Sequence, residues 1–273
     1  MTLIDGRPVD CLPVQDRGLH YGDGLFETLA ARDGQLLCWK EHFARLAAGC
    51  ERLGMACPPQ ALLEGEAREL ATGNGHCVVK IILTRGQGGR GYLPPEPARP
   101  ARIVARYPWP GWPEEYRAEG VIVRYCRIRL GINAVLAGLK HLNRLEQVLA
   151  RNEWRDPAIA EGLMQDTQDN VIEGTMSNLF LISGQKLLTP DLDQCGVAGV
   201  IRHRILTVAP ALGLETAITL VSRDDLSAAD EIFLCNSVIG VWPVRRLADQ
   251  DYRPGTWAAR IRETLANGGM IAE

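Results

Sequence analysis

Lys140 closes the run AVLAGLK, whose other members are small or apolar, so its ammonium has few local partners. The following segment, HLNRLEQVLARNEW (141–154), reads as a helix. Partial burial beside a positive helix end favours the neutral amine that Schiff-base chemistry needs. Taken alone, the position also suits a solvated lysine. Glu173 stands in NVIEGTMSNLFLI among Val171, Ile172, Leu179 and Phe180. An ionised carboxylate there is costly unless a cation meets it, and a protonated pyridine nitrogen is such a cation. A sheet-end glutamate turned to solvent is the plainer alternative. Arg45, in HFARLAAGC, can fork onto a phosphate or onto a surface carboxylate. In CGVAGVIRHRIL, Gly196 and Gly199 open a helix, which aims the amides of Val200 and Ile201 at an anion. Ser237, at the end of a buried strand, adds a hydroxyl. One lysine, one buried acid and three separated phosphate donors make a coherent set if the fold assembles them.

The elements that must do so are readable from periodicity. Asp5-Gly6 and Asp33-Gly34 each sit between apolar runs, so the chain opens with paired strands joined by tight turns. Phe43, Leu46, Ala47 and Cys50 repeat at three and four, predicting a helix over 39–53 stopped by Gly54. Residues 59–72 form a second amphipathic helix, and 78–84 and 101–107 are strands. PWPGWPEE (108–115) forbids helix and central strand alike. This divides the chain into an N-terminal α/β domain (1–107), a linker (108–116) and a C-terminal α/β domain (117–273) that carries Lys140. In the second domain 120–130 is a strand, and 141–154 is a helix with Leu142, Leu145 and Leu149 on one face. A meander over 162–166, 170–182 and 186–189 follows, then helices at 199–211 and 256–266 around a buried strand at 230–237. Two mixed α/β domains with mainly antiparallel sheets result.

Gly86, Gly88 and Gly91 in RGQGGRGY match the dinucleotide fingerprint, G-x-G-x-x-G after a strand. That motif needs a helix to hold the pyrophosphate, and the prolines of YLPPEPARP prevent one. The glycines instead suit a loop in close approach to a neighbour, with Tyr92 at its edge.

The 273 residues are 46% hydrophobic and 23% charged, with a net charge of −3 that gives no reason to expect nucleic acid or an anionic membrane. No apolar run is long enough for a membrane span, and the first twenty residues lack a signal peptide's apolar core. The eight cysteines include no CxxC pair and lie mostly in apolar segments. That pattern suits small core residues in a reducing cytoplasm, not a disulfide framework or a metal site.

Together DRGLHYGDGLFETL, HFARL, RGQGGRGY, AGLKHLNRLEQVLAR, VIEGTMSNLFLI, DQCGVAGVIR and CNSVIGVWPV resemble, in order and spacing, the fold-type IV pyridoxal 5′-phosphate (PLP) enzymes. That resemblance implies two α/β domains with the cofactor between them, in a homodimer whose partner loop helps close the site. It implies that Lys140 carries the cofactor, that Glu173 pairs with the pyridine nitrogen, and that Arg45, the amides of Val200 and Ile201, and Ser237 hold the phosphate. Within the family, GLKHLNRLEQVLAR and RGQGGRGY are most similar to bacterial aminodeoxychorismate lyases, which release 4-aminobenzoate and pyruvate in folate biosynthesis. D-amino-acid aminotransferases share a KxLN start and are the rival reading. Branched-chain aminotransferases have a glycine-rich stretch and tyrosine after the lysine that KHLNRLEQ lacks. A non-catalytic PLP-binding protein is a further alternative. The lyase substrate is a dicarboxylate, so Arg106, Tyr107, Tyr92 and His20 become candidate contacts. Some lyases also carry a threonine before GDG, where this chain reads Gly18-Leu19-His20-Tyr21.

Overall fold

Both Asp-Gly turns take the conformation their residues suit. In the computed structural model, which describes residues 1–272, φ is 51° and 77° at Asp5 and Gly6, and 50° and 78° at Asp33 and Gly34. Positive φ at both central positions gives the twist that paired strands require. By contacts among its residues the chain divides into two units, Met1–Pro110 with Leu139–Asn143 and Ala272, and Gly111–Gly138 with Arg144–Ile271.

The first unit contains β1 (Thr2–Ile4), α1 (Arg17–Tyr21), β2 (Gly24–Arg32), β3 (Gln35–Leu36), α2 (Trp39–Arg52), α3 (Gln60–Ala71), β4 (His76–Thr84) and β5 (Ala101–Pro108). Its sheet runs β1-β5-β4-β2-β3 and every pairing is antiparallel. The Asp5-Gly6 turn supports only the single bridge Ile4–Arg7, and β1 pairs instead with β5. Strand residues alternate between faces. Leu25, Leu29 and Ala31 of β2, with Val79, Ile81 and Leu83 of β4, form a core with Trp39, Leu46 and Cys50 of α2 and Leu63, Ala67 and Leu70 of α3. The helices therefore cover one face. At Gly49 a Cβ would come within 2.7 Å of Leu25, so glycine lets α2 approach β2 closely. The other face carries Phe26, Thr28, Lys80, Ile82 and Tyr107.

No helix follows the G-x-G-x-x-G run. The Arg17 guanidinium instead binds the carbonyls of Gly91 (3.1 Å) and Tyr92 (2.8 Å), while Gly86, at φ 85°, leaves room for the Arg99 carbonyl that a Cβ would strike.

The second unit contains α4 (Glu115–Ala118), β6 (Val121–Leu130), α5 (Leu145–Arg151), β7 (Ile159–Asp166), β8 (Val171–Gly174), β9 (Asn178–Ser183), β10 (Lys186–Pro190), α6 (Val200–Val208), β11 (Glu215–Thr219), α7 (Arg223–Ser227), β12 (Glu231–Asn236), β13 (Gly240–Leu247), β14 (Gln250–Asp251) and α8 (Thr256–Asn267). Its sheet runs β11-β10-β9-β12-β13-β6-β7-β8, and β8 returns to pair β9 through Glu173 and Asn178, closing a ring. Val123, Leu163, Leu181, Leu234 and Trp242 belong to its main core. The β10–β11, β13–β6 and β6–β7 pairings are parallel, so this sheet is more mixed than the hairpin-rich sequence suggests.

Two expectations need correction. The helix predicted over 141–154 begins only at Leu145, because residues 139–143 run extended beside the start of β2. There the Phe26 amide donates to the Lys140 carbonyl (2.9 Å) and the Leu142 amide to the Gly24 carbonyl (3.0 Å). For the same reason the segment bearing Lys140 groups with the first unit. Nor do the leucines form α5's buried face: Leu145 is 68% and Leu149 48% exposed, while Gln147 and Ala150 are buried.

Candidate active site

In the first unit, Leu25 pairs with His141 across an antiparallel bridge, which sets Phe26 opposite Lys140. Opposed residues share a face, so Lys140 lies on the face left open by the helices. It is half-buried, and its Nζ is 4.4 Å from the Phe26 ring centroid. It does not stand at a helix N-terminus, so the dipole invoked from sequence is not what acts on it. Lys80, opposite Thr28 on the same face, places its Nζ 5.2 Å from the same ring.

On the covered face, the buried Glu27 is gripped from α2. Arg45 Nε donates to Oε1 at 2.8 Å and its Nη2 to Oε2, while His42 Nδ1 meets Oε2 at 2.6 Å. Burial raises the Glu27 carboxyl, but the Arg45 charge and the His42 hydrogen bond outweigh it and hold it at about 2. Burial pushes the His42 imidazole below its ordinary value against the pull of Glu27, with the Arg45 and Lys140 charges adding to burial. His42 is therefore the neutral donor of the pair. Arg45 is thus locked in direction by a buried acid, the arrangement that pre-orients a guanidinium for an oxyanion.

In the second unit, Glu173 is 5% exposed. The Val197 amide donates to its Oε2 at 2.8 Å, and Asn178 Nδ2 donates to the Val197 carbonyl at 2.8 Å. Val197 is thus held through the peptide groups on both sides of it, fixing the Gly196–Gly199 turn that enters α6. Gly199 caps α6 without a side-chain hydrogen bond, and a Cβ there would strike Asn178 Oδ1. The Val200 and Ile201 amides belong to the first helical turn, whose N–H groups lack intrahelical acceptors. Ser237 occupies the β12–β13 turn. Asn236 Oδ1 accepts the amides of Val238 and Ile239 there, each at 2.8 Å. Beneath Glu173 the buried Glu161 accepts from the Gly162, Thr175 and Met176 amides and from the Thr175 and Ser177 hydroxyls, pinning the β8–β9 turn.

The substrate candidates scatter. Arg106 lies on the helix-covered face, where its Nη1 donates to the Thr72 carbonyl at 2.8 Å beyond the end of α3. Tyr107 is on the open face but 48% exposed, Tyr92 is 84% exposed, and His20 packs edge-on against Tyr21. Sequence reasoning missed Glu27, His42, Lys80, Asn178 and Glu161. Glu27 in GLFETLAAR and Lys80 in VVKIILT carried the same signal as Glu173, a charge inside an apolar strand. Burial raises the thiols of Cys50, Cys126, Cys195 and Cys235 to about 12, which leaves them poor nucleophiles near neutral pH.

Residues 24–247 match the family described as amino-transferase class IV. The chain belongs to the class IV aminotransferase family. Among its relatives, the aminodeoxychorismate lyase of Vibrio harveyi is 36% identical over 244 residues, 89% of this chain and 90% of that one. The crystal structure of 4-amino-4-deoxychorismate lyase from Pseudomonas aeruginosa superposes with a TM-score of 0.93 at 48% identity, covering 98% of both chains. The T.th. branched-chain amino acid aminotransferase with pyridoxamine 5′-phosphate has a TM-score of 0.86 at 23% identity, covering 98% of this chain and 93% of that one, which marks a shared fold. These class IV likenesses run through β2, the Lys140 segment and the whole ring of the second unit, the parts that hold the candidate residues.

Proposed function

We propose that this protein is a PLP-dependent lyase that converts 4-amino-4-deoxychorismate to 4-aminobenzoate and pyruvate. The observation that carries the reading is the half-buried Lys140 against Phe26, in a chain 48% identical to the P. aeruginosa lyase over nearly its full length. The residues present fit the cofactor. The first-turn amides behind Gly199, a cap with no side chain to bind them, suit a phosphate, and the buried Glu173 suits a protonated ring nitrogen.

Lys140 of the first unit would hold PLP covalently, with Arg45 reaching the phosphate. Glu173 would pair with its ring nitrogen, and the Val200 and Ile201 amides and Ser237 would hold its phosphate. When bound, PLP supplies an electron sink for the charge left as a C–H bond breaks. Lys140 would supply the amine that takes the proton from C4. Glu173 would keep a proton on the ring nitrogen, its carboxylate held in place by the Val197 amide. Loss of the C4 proton and of the C3 enolpyruvyl group leaves an aromatic ring, and the departing group gains a proton to become pyruvate. No oxidant enters this balance.

Purified enzyme should release pyruvate from aminodeoxychorismate with no keto-acid acceptor, and Lys140→Ala should reduce that release at least about a thousandfold. A requirement for a keto acid would indicate an aminotransferase instead. We take the working form to be a cytoplasmic homodimer binding this small molecule. Support comes from the family resemblance and from eight cysteines none of which is in a disulfide among the described residues. Among the described residues, no helix is long and apolar enough to cross a membrane.

A further inference from the structure

Lys80 interrupts an otherwise apolar stretch of β4, half-buried on the open face of the first unit's sheet. Among the described residues no carboxylate pairs with it; its contact is the Phe26 ring at 5.2 Å. Charged groups are seldom withdrawn from water without a counter-charge, and a ring face compensates only in part. Neighbouring cations have their tasks: Arg45 on Glu27, Arg102 on Glu66 and Arg106 on the Thr72 carbonyl, all on the covered face. Lys80 alone of these faces the same way as Lys140.

The geometry points to Lys80 as the residue that receives the ring carboxylate of the substrate, and so selects an acid over a neutral amine. This inference rests on the lyase reading. Both ammonium groups touch one phenyl ring, at 4.4 Å for Lys140 and 5.2 Å for Lys80. The sum of those distances is the farthest apart they can be. That bound leaves room for a six-membered carbocycle whose reacting amine and ring carboxylate sit at opposite corners. With the amine directed to Lys140, the carboxylate would be carried toward Lys80, and Phe26 between them offers a flat apolar floor for the ring. Thr28, directly opposite Lys80 in the β2–β4 register, supplies a hydroxyl on the same side. The product keeps the same amine and carboxylate at opposite corners, so it reports on the contact without any turnover.

The test compares holoenzyme carrying Lys80→Met or Lys80→Arg with the unmodified protein. Three quantities are read: KM and kcat for pyruvate release, the inhibition constant of 4-aminobenzoate, and the visible absorbance of bound PLP. Loss of a charge-assisted contact predicts that K80M raises KM and weakens 4-aminobenzoate by about tenfold to a hundredfold. The PLP absorbance should persist, kcat should change far less, and K80R should recover most of both constants. If K80M does not fold, Lys80→Gln read against K80R carries the same comparison. An active wild type with K80M constants equal to its own would overturn the role of Lys80 and leave the lyase reading standing. A wild type that releases no pyruvate would overturn the lyase reading, and this role with it.

Discussion

Glu27 keeps its charge in a buried site, and the partly exposed cation it meets, Arg45, is the one proposed to hold phosphate. Its carboxyl is held at about 2 against an ordinary 4.5, so its contribution to stability is complete above 4.5 and lost as pH falls toward 2. His42 acts in a higher window. Its folded-state affinity for a proton lies below the ordinary value of 6.5, so the unfolded chain gains protons first as the solution is acidified. Stability is therefore complete above 6.5 and declines as pH falls below it. His42→Asn retains an N–H for Glu27 and removes the titration. It should cost about 1–3 kcal/mol at neutral pH, yet its melting temperature should fall less steeply than that of the wild type between 6.5 and 4.5. Parallel melting profiles would reject the assignment. The sequence announced Lys140 and Glu173 because each is a charge in an apolar run. It announced Glu27 and Lys80 by the same sign, which passed unread: Glu27 lay within DRGLHYGDGLFETL with no role attached to it, and Lys80 lay outside the quoted motifs. Arg106 was misplaced for a different reason. In ARIVARY, Arg102 and Arg106 share a parity, and only the position of α3 reveals that this parity is the covered one.

At the scale of elements, the entry to α6 is the part most sensitive to a single atom. Gly199 faces Asn178 Oδ1 so closely that a methyl group cannot fit, and Asn178 in turn holds the Val197 carbonyl. Gly199→Ala should therefore displace the turn that aims the Val200 and Ile201 amides. We expect PLP affinity, followed by fluorescence titration, to fall about tenfold or more, with far-ultraviolet circular dichroism little changed. Unchanged affinity would remove these amides from the phosphate site. Helices α2 and α3 and the strands β4, β5 and β12 were legible because an apolar pattern runs through each of them. The stretch after Lys140 was not. Its leucines fit a helical period, but main-chain pairing with β2 claims residues 139–143 first, and α5 turns Leu145 and Leu149 outward. Periodicity reports the presence of apolar residues at a spacing; it does not report what stands ready to cover them.

For the molecule as a whole, PLP is proposed to be held covalently by Lys140. A ligand that binds only the folded chain stabilises it by mass action. The melting temperature of PLP-depleted protein should accordingly climb with added PLP, and climb less for Lys140→Ala; a flat response would argue against PLP as the resident group. The mixed α/β class was readable from composition and hairpin signals. The parallel β13–β6 and β6–β7 pairings were not, because they join segments far apart in sequence with no local turn to mark them. Nor was the return of β8 onto β9, which brings Glu173 opposite Asn178. That seam has a double duty. The two residues whose main chains pair at the closure are also the two whose side chains hold Val197 by its N–H and its carbonyl, so a substitution at either one bears on the turn into α6 and on the hoop that keeps the staves together.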